Sequence, residues 1–502
     1  MRALARKQLN VSRKGKVFAL SIGQGMGRIV SVLIGAVMAR ALAKDEVAAY
    51  KGALVVFGFA APLLQMGLNE GLNYFLPAEK HRVRGRTIEA LILLTSTAAV
   101  FGAFLGFGGS GLIARNFENP KVGGLLLWLI PYALITIPTS VASAVWVTQH
   151  RVYLSSAFGV TRQLLIGLTT IIPMLVWGTA LSAMMGQVFG SILLGTVALV
   201  LMVRATPADS ARPKWTSLRE MAAFSLPLGM ASMLGTMSMM VDKLIVAAMC
   251  SDDVFAVYSM SAIEIPLIAV VTGSITAIMI VEMRQAIAAQ NYREACRLFR
   301  LSAEKSATLL LPITFFFLVN ADGFIRLYLG DGYATGATPF RIYVLALPVR
   351  TMIFSALLVA LGASRFIMWR SFGGLALNAL LSIPAVLYFG ANGAAVVTTI
   401  VLYGFTVALN ARTIQKKTGF HIATFIPLKA MARIFLEWVW PVAFMLLVSL
   451  HFLKATPIAA LLVNSLLAGV YGAWWAEGKL YTREQLLRKL RRVLPKGTDS
   501  KS

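Results

Sequence analysis

Apolar runs of about twenty residues recur along the whole chain, separated by short basic stretches or by turns bearing Gly, Pro or Asp. At 1.5 Å per residue, each run is long enough as a helix to cross a hydrocarbon core of about 30 Å. The pattern predicts helical spans near 17–40, 52–76, 88–108, 123–147, 158–177, 181–203, 221–249, 254–282, 303–320, 339–361, 366–389, 392–411, 435–453 and 457–476. The expected fold class is an all-α polytopic membrane protein of about fourteen transmembrane helices.

Polar positions inside the spans follow the helical period. Ser21, Gln24, Arg28 and Ser31 fall at spacings of three and four on one face of span one, and Gln65, Asn69 and Asn73 do the same in span two, with Glu70 beside them. Span seven carries Asp242 and Lys243 side by side, which helix geometry points about 100° apart. Span eight adds Glu264 and span ten adds Arg350. Arg28, Asp242, Lys243, Glu264 and Arg350 facing lipid would together cost about 12–18 kcal/mol. They are therefore expected to face one another or a hydrated chamber. Buried ion pairs that fix helix register are the competing explanation for any single residue.

Composition agrees with a membrane chain: 58% of residues are hydrophobic and 14% are charged. The net charge of +26 is resolved by its placement. Most Lys and Arg residues lie in the N-terminal segment, in the loops after even-numbered spans and in the C-terminal tail, whereas Lys44, Arg115, Lys121, Arg326 and Lys454 lie on the other side. The positive-inside rule then puts both termini in the cytoplasm and excludes nucleic acid as the reason for the charge. Ala41-Leu42-Ala43 imitates a signal-peptidase site, but the apolar run before it exceeds a signal h-region and contains Arg28, so an uncleaved first helix is expected. Cys250 and Cys296 fall at opposite faces, which rules out a disulfide between them.

Two outward turns, "DEVAAY" at 45–50 and "DDVFAVY" at 252–258, occupy the same place in successive groups of six spans. Six is even, so a duplicated unit would be related by an axis along the membrane normal. The expected organisation is a basic N-terminus (1–16), a six-helix bundle (17–203), a linker (204–220), a second six-helix bundle (221–412), a loop (413–434), two extra helices (435–476) and a basic tail (477–502). The stretches 291–305 and 482–494 place apolar residues opposite Arg and Lys, which suits either helices lying on an anionic leaflet or solvated basic helices. The longest outward connection is read as a loop around "ADGFIRLYLGDGYATGATP", with Asp322 and Asp331 as turn residues. Cations outnumber acids in the deep spans and come from both bundles, a distribution that favours an anionic solute.

The six-plus-six-plus-two pattern, together with "IGAVMARALAKDEVAAYKGALVVF", "FSLPLGMASMLGTMSMMVDKLIVAAMCSDDVFAVYSM" and the region of span nine, resembles the polysaccharide flippase family of the O-antigen exporter kind. That family sits within the multidrug, oligosaccharidyl-lipid and polysaccharide exporter superfamily. The resemblance implies export of a polyprenyl-pyrophosphate-linked oligosaccharide across a bacterial inner membrane by alternating access, coupled to an ion gradient of Na+ or H+, with no other cofactor. It implies polysaccharide polymerase and glycosyltransferases as partners of a monomeric transporter. Asp242, Tyr50 and Tyr258 match the family pattern, and Arg28, Lys51 and Lys243 occupy spans that carry cations in related flippases. The site expected on these grounds has Arg28, Lys51, Lys243, Arg350 and Gln24 against the pyrophosphate, and Asp242, Glu264 and Glu70 in coupling or gating. A multidrug or cation exporter of the same superfamily is the alternative, although span one has no acid for a cationic substrate. A membrane polymerase or ligase would need a substantial outward domain with placed acids or histidines, and the chain offers none.

Overall fold

The computed structural model describes residues 30–79, 82–207, 213–263, 265, 279–280, 282–452 and 456–480. Among these, every regular element is a helix. In chain order they are α1 (Val30–Ala41), α2 (Lys44–Pro77), α3 (Val83–Ala114), α4 (Lys121–Thr148), α5 (Val152–Trp177), α6 (Ala180–Ala205), α7 (Trp215–Ser238 with Val241–Met249), α8 (Asp252–Ser261), α9 (Tyr292–Leu329), α10 (Asp331–Ala360), α11 (Ser364–Phe389), α12 (Ala391–Thr418), α13 (Leu428–Phe452) and α14 (Pro457–Leu480). Twelve described helices are long and apolar enough to cross a membrane, and they coincide with spans two to seven and nine to fourteen of the sequence pattern. The end of span one is α1, and α8 begins span eight, most of the rest of which lies outside the described residues.

The helices form two six-helix bundles and an appended pair. In the N-terminal bundle α2, α4 and α6 pack on one another, and in the C-terminal bundle α8, α10 and α12 do the same. Turns between spans are short because the helix ends carry their own stop and start signals. Gly178 (φ 62°) ends α5 in the left-handed region, and the Thr179 side chain then accepts from the Ser182 amide at 3.2 Å to cap α6. The pair α13–α14 packs on α9. It is fastened by Asn464, whose amide donates to Asn320 (2.7 Å) on α9 and to Ser449 (3.0 Å) on α13.

Three sequence expectations change. Lys44 starts α2 eight residues before the expected boundary, since Asp45 and Glu46 in the first turn complement the helix dipole, so Tyr50 and Lys51 lie inside the span. The expected outward loop around 321–339 is almost wholly helical: α9 runs to Leu329 and a short 3-10 helix (Asp331–Gly336) leads into α10. Asp322 is therefore a helical residue, paired with Arg341 across the two helices, and Asp331 pairs with Arg326. The basic stretch 291–305 is continuous with α9, and its Ala295, Cys296 and Phe299 are buried against Phe354 and Phe425. It packs against protein on that face because Phe299 has aromatic neighbours to cover it. The stretch 482–494 lies outside the described residues.

Two spans break partway. In α2 Met66 (φ 50°) and Gly67 (φ 65°) are left-handed, dividing the span into Lys44–Gln65 and Leu68–Ala78. The Thr97 hydroxyl from α3 donates to the Leu64 carbonyl at 2.7 Å, satisfying one acceptor near the break. In α7 the interruption is at Met239–Met240, and a new helix starts at Val241.

Candidate functional site

The second segment of α7 opens with Val241-Asp242-Lys243, so Asp242 stands in the first turn of a helix, where the backbone dipole favours a carboxylate. Asp242 is fully buried. Its Oδ2 accepts from the Tyr258 hydroxyl of α8 at 2.7 Å and from the Tyr343 hydroxyl of α10. Lys243 Nζ lies 3.7 Å from the same Oδ2, donates to the Tyr343 hydroxyl at 3.1 Å and sits over its ring at 4.9 Å from the centroid. Asp242 and Lys243, which helix geometry points about 100° apart, thus meet on one partner, Tyr343. The helix begins only at Val241, and the flexible four-carbon lysine stem folds back onto the tyrosine that also holds the aspartate.

Lys51, on α2 of the other bundle, is half-buried, and α2 packs against the α7 segment that carries Lys243. Among the described residues it has no ion-pair or hydrogen-bond partner. One residue before it, Tyr50 is buried and donates to Gln187 Oε1 of α6, while Gln187 Nε2 donates to the Tyr132 hydroxyl of α4 at 3.0 Å. Each bundle thus contains a pair of tyrosines, one from its second helix and one from its fourth, bridged by a polar side chain. The bridge is a neutral amide in the first bundle and a carboxylate in the second.

The structure brings Lys51, Lys243 and Asp242 together. Arg350 is exposed at the end of the α10 segment Leu347–Arg350, about 10 Å along the chain from Tyr343 by helical rise, and another group engages it. Glu70 lies in a different place, in the first turn of the second α2 segment, where it lines a cavity against α7. Gln24, Arg28 and Glu264 lie outside the described residues. Tyr132, Gln187 and Tyr343 were not singled out from sequence. The one available signal for Gln187 was its isolation as a polar residue within the apolar run of α6.

Contacts join the bundles at both ends of this seam. At the end away from the basic loops, α2 packs on α8, and Arg40 at the end of α1 donates to the Tyr328 (2.7 Å) and Leu327 (2.5 Å) carbonyls in the last turn of α9. Those carbonyls have no donor within the helix, so the guanidinium fills their need while meeting the negative end of the dipole. At the basic end the buried Glu89 of α3 accepts from Arg82 at 2.7 Å, from the Lys214 amide at 3.0 Å and from the Ser217 hydroxyl at the start of α7. Arg86 reaches Glu220 of α7 at 2.9 Å. Tyr74 stacks on Phe224 at 4.4 Å between centroids, and Gly67 meets Gly229 so closely that a side chain on either would collide with the other's backbone. Among the described residues no three His, Cys, Asp or Glu side chains are grouped to hold a metal ion.

The sequence pattern of the family described as polysaccharide biosynthesis protein matches residues 37–337, which includes most of this seam. The chain belongs to that family. No curated protein sequence resembles the chain closely enough to count as a match. Among solved structures, the chain is similar to the lipid II flippase MurJ in an inward closed conformation, with a TM-score of 0.72 and 13% identity over 92% of this chain and 99% of that one. It is also similar to an inward-facing multidrug resistance MATE family transporter of the MOP superfamily, with a TM-score of 0.64 and 14% identity over 80% of this chain and 98% of the other. A third similarity is to a MOP superfamily transporter from Pyrococcus furiosus whose binding pocket is described as reversed in polarity, with a TM-score of 0.57 and 16% identity over 84% and 95%. This polysaccharide biosynthesis protein therefore has a transporter fold and is a multi-pass membrane protein.

Proposed function

We propose that the protein carries a polyprenyl-pyrophosphate-linked oligosaccharide from the inner to the outer leaflet of a bacterial cytoplasmic membrane, by alternating access between the two bundles. Lys51 carries the argument. An amine within a membrane span, half-buried, without a counter-ion among the described residues and on a helix packed against the segment that bears a second lysine from the other bundle, is costly unless an anion joins them. A pyrophosphate supplies that anion and is chemically matched to two ammonium groups drawn from opposite sides of the seam. Arg28, Gln24 and Arg350 are further candidates to contact it.

A hydrated chamber removes the cost of taking sugar hydroxyls through hydrocarbon, while the polyprenyl tail stays in lipid. Asp242 serves as the coupling or gating group. Its carboxylate is already held by two tyrosines, so binding of the substrate to Lys243 weakens the one ionic contact that opposes release of Asp242 to a cation, Na+ or H+. Glu264 and Glu70 are the other acids available for that role. The distribution of basic loops supports an orientation with both termini in the cytoplasm. Export of a cationic drug is disfavoured by the same geometry, since the seam presents lysines from both bundles and its central acid is occupied.

Binding of a fluorescent polyprenyl-pyrophosphate oligosaccharide to native and Lys51→Gln protein in detergent tests this reading. The variant is expected to bind at least about tenfold more weakly, a loss of about 1.4 kcal/mol, with free pyrophosphate competing for the native site. Equal binding by both proteins would contradict it.

A further inference from the structure

The cavity lined by Glu70, of about 280 Å³, opens at the break in α2, on the side of the lysines toward the basic end. Gln65, Asn69 and Glu70 line it from the N-terminal bundle, and Ser232 and Thr236 line it from α7 of the C-terminal bundle. Its chemistry is unlike that of the lysine pair: it presents two amides, two hydroxyls and one carboxylate, with no cation. Among the described residues the side chains of Gln65, Asn69 and Glu70 have no hydrogen-bond or ion-pair partner, so their bonding capacity is turned to the cavity. The Thr236 hydroxyl donates to the Ser232 carbonyl at 3.0 Å, which leaves its oxygen able to accept.

The arrangement discriminates among ligands. A phosphate would be repelled by Glu70 and would find no cation. A bare calcium ion needs six or more oxygens drawn in to about 2.3–2.6 Å, a cage much tighter than this space. A neutral polyhydroxyl ring fits: each ring hydroxyl donates and accepts, which amides match in both senses and a carboxylate matches as acceptor. We propose that this cavity is a sugar-reading subsite, in which Gln65, Asn69 and Glu70 with Ser232 and Thr236 hydrogen-bond one ring of the glycan. The inference rests on the reading of the protein as a carrier of lipid-linked oligosaccharide and adds where specificity for the glycan resides.

Distance fixes which ring is read. Gln65 lies about 20 Å along α2 from Lys51, and Ser232 about 16 Å along α7 from Lys243, by helical rise. With pyrophosphate on the lysines and the glycan trailing toward the basic end, the cavity meets a ring set back along the chain, beyond the sugar attached to phosphate. The wall comes from both bundles just where Gly67 touches Gly229, so a ring seated there bridges the surfaces that must part when this end opens.

The test compares two synthetic substrates: polyprenyl pyrophosphate carrying glucose alone, and a panel carrying glucose followed by three further hexoses. Gln65→Ala, Asn69→Ala and the size-preserving Gln65→Glu are measured beside the native protein, each at confirmed membrane abundance and thermal stability. The variants are expected to bind the preferred tetrasaccharide about tenfold more weakly and the glucose-only lipid as the native protein does. Equal weakening of both, or no change in either, overturns the subsite. Failure of the native protein to bind any of these lipids overturns the carrier reading beneath it, which separates the two failures.

Discussion

Lys51 and Asp242 differ in what their removal leaves behind. Lys51 has no described protein partner, so Lys51→Gln strands nothing and should leave abundance and thermal stability unchanged while weakening substrate binding; Lys51→Arg should retain most of it. Asp242 is buried beneath two tyrosine hydroxyls and a lysine, so Asp242→Ala leaves Lys243 without its carboxylate and should cost about 3–5 kcal/mol, read as a lowered melting temperature in detergent. A stability loss for Lys51→Gln as large as that for Asp242→Ala would contradict the division between a substrate-facing and an internally paired charge. Asp242 was visible as a charge within an apolar run, whereas Lys51 fell just before the expected start of span two. What the sequence hid was the shared partner of Asp242 and Lys243, because Tyr343 lies a hundred residues from Lys243 and the break at Met239–Met240 bears neither Gly nor Pro to announce it.

At the scale of elements, hydropathy period and length were enough to locate the spans, since each buries its backbone hydrogen bonds within itself. The breaks were less legible. Pro62 lies within α2, four residues before the break, but the left-handed pair Met66–Gly67 sits against Gly229, a neighbour that no local pattern reveals. Gly229→Val should hold α2 and α7 apart at the basic end. Cysteines substituted for Tyr74 and Phe224, whose rings stack in this structure, should then cross-link less efficiently in the Gly229→Val background. Undiminished cross-linking would show that the Gly–Gly approach does not govern closure. Arg40→Gln is its counterpart at the other end: it removes a charged cap from the Leu327 and Tyr328 carbonyls and should raise solvent access to the α1–α9 contact, measured by hydrogen exchange. In the ion cluster of Arg82, Arg86, Glu89 and Glu220 the arginines were read from sequence only as loop charge, since Glu220 lies more than a hundred positions from the other three.

For the whole molecule, orientation and transport are separable. Cys250 lies in the turn between α7 and α8, half-buried, with burial first and Glu118 second holding its thiol above the usual range. Its reaction with a membrane-impermeant maleimide should be slow at neutral pH and accelerate as pH rises and the thiolate forms. Labelling should occur from the outside of intact cells. Labelling only after permeabilisation would reverse the orientation assigned from the basic loops. The central claim is that lipid-linked glycan crosses between the bundles. Leaflet-resolved transport of fluorescent polyprenyl-pyrophosphate oligosaccharide in proteoliposomes, run with and without Na+ and H+ gradients, tests it most directly. Native protein should bring the lipid to the far leaflet faster than protein-free vesicles, with Lys51→Gln near the protein-free rate. Folded native protein that moves no glycan of a broad panel, yet releases small organic cations, would contradict the account.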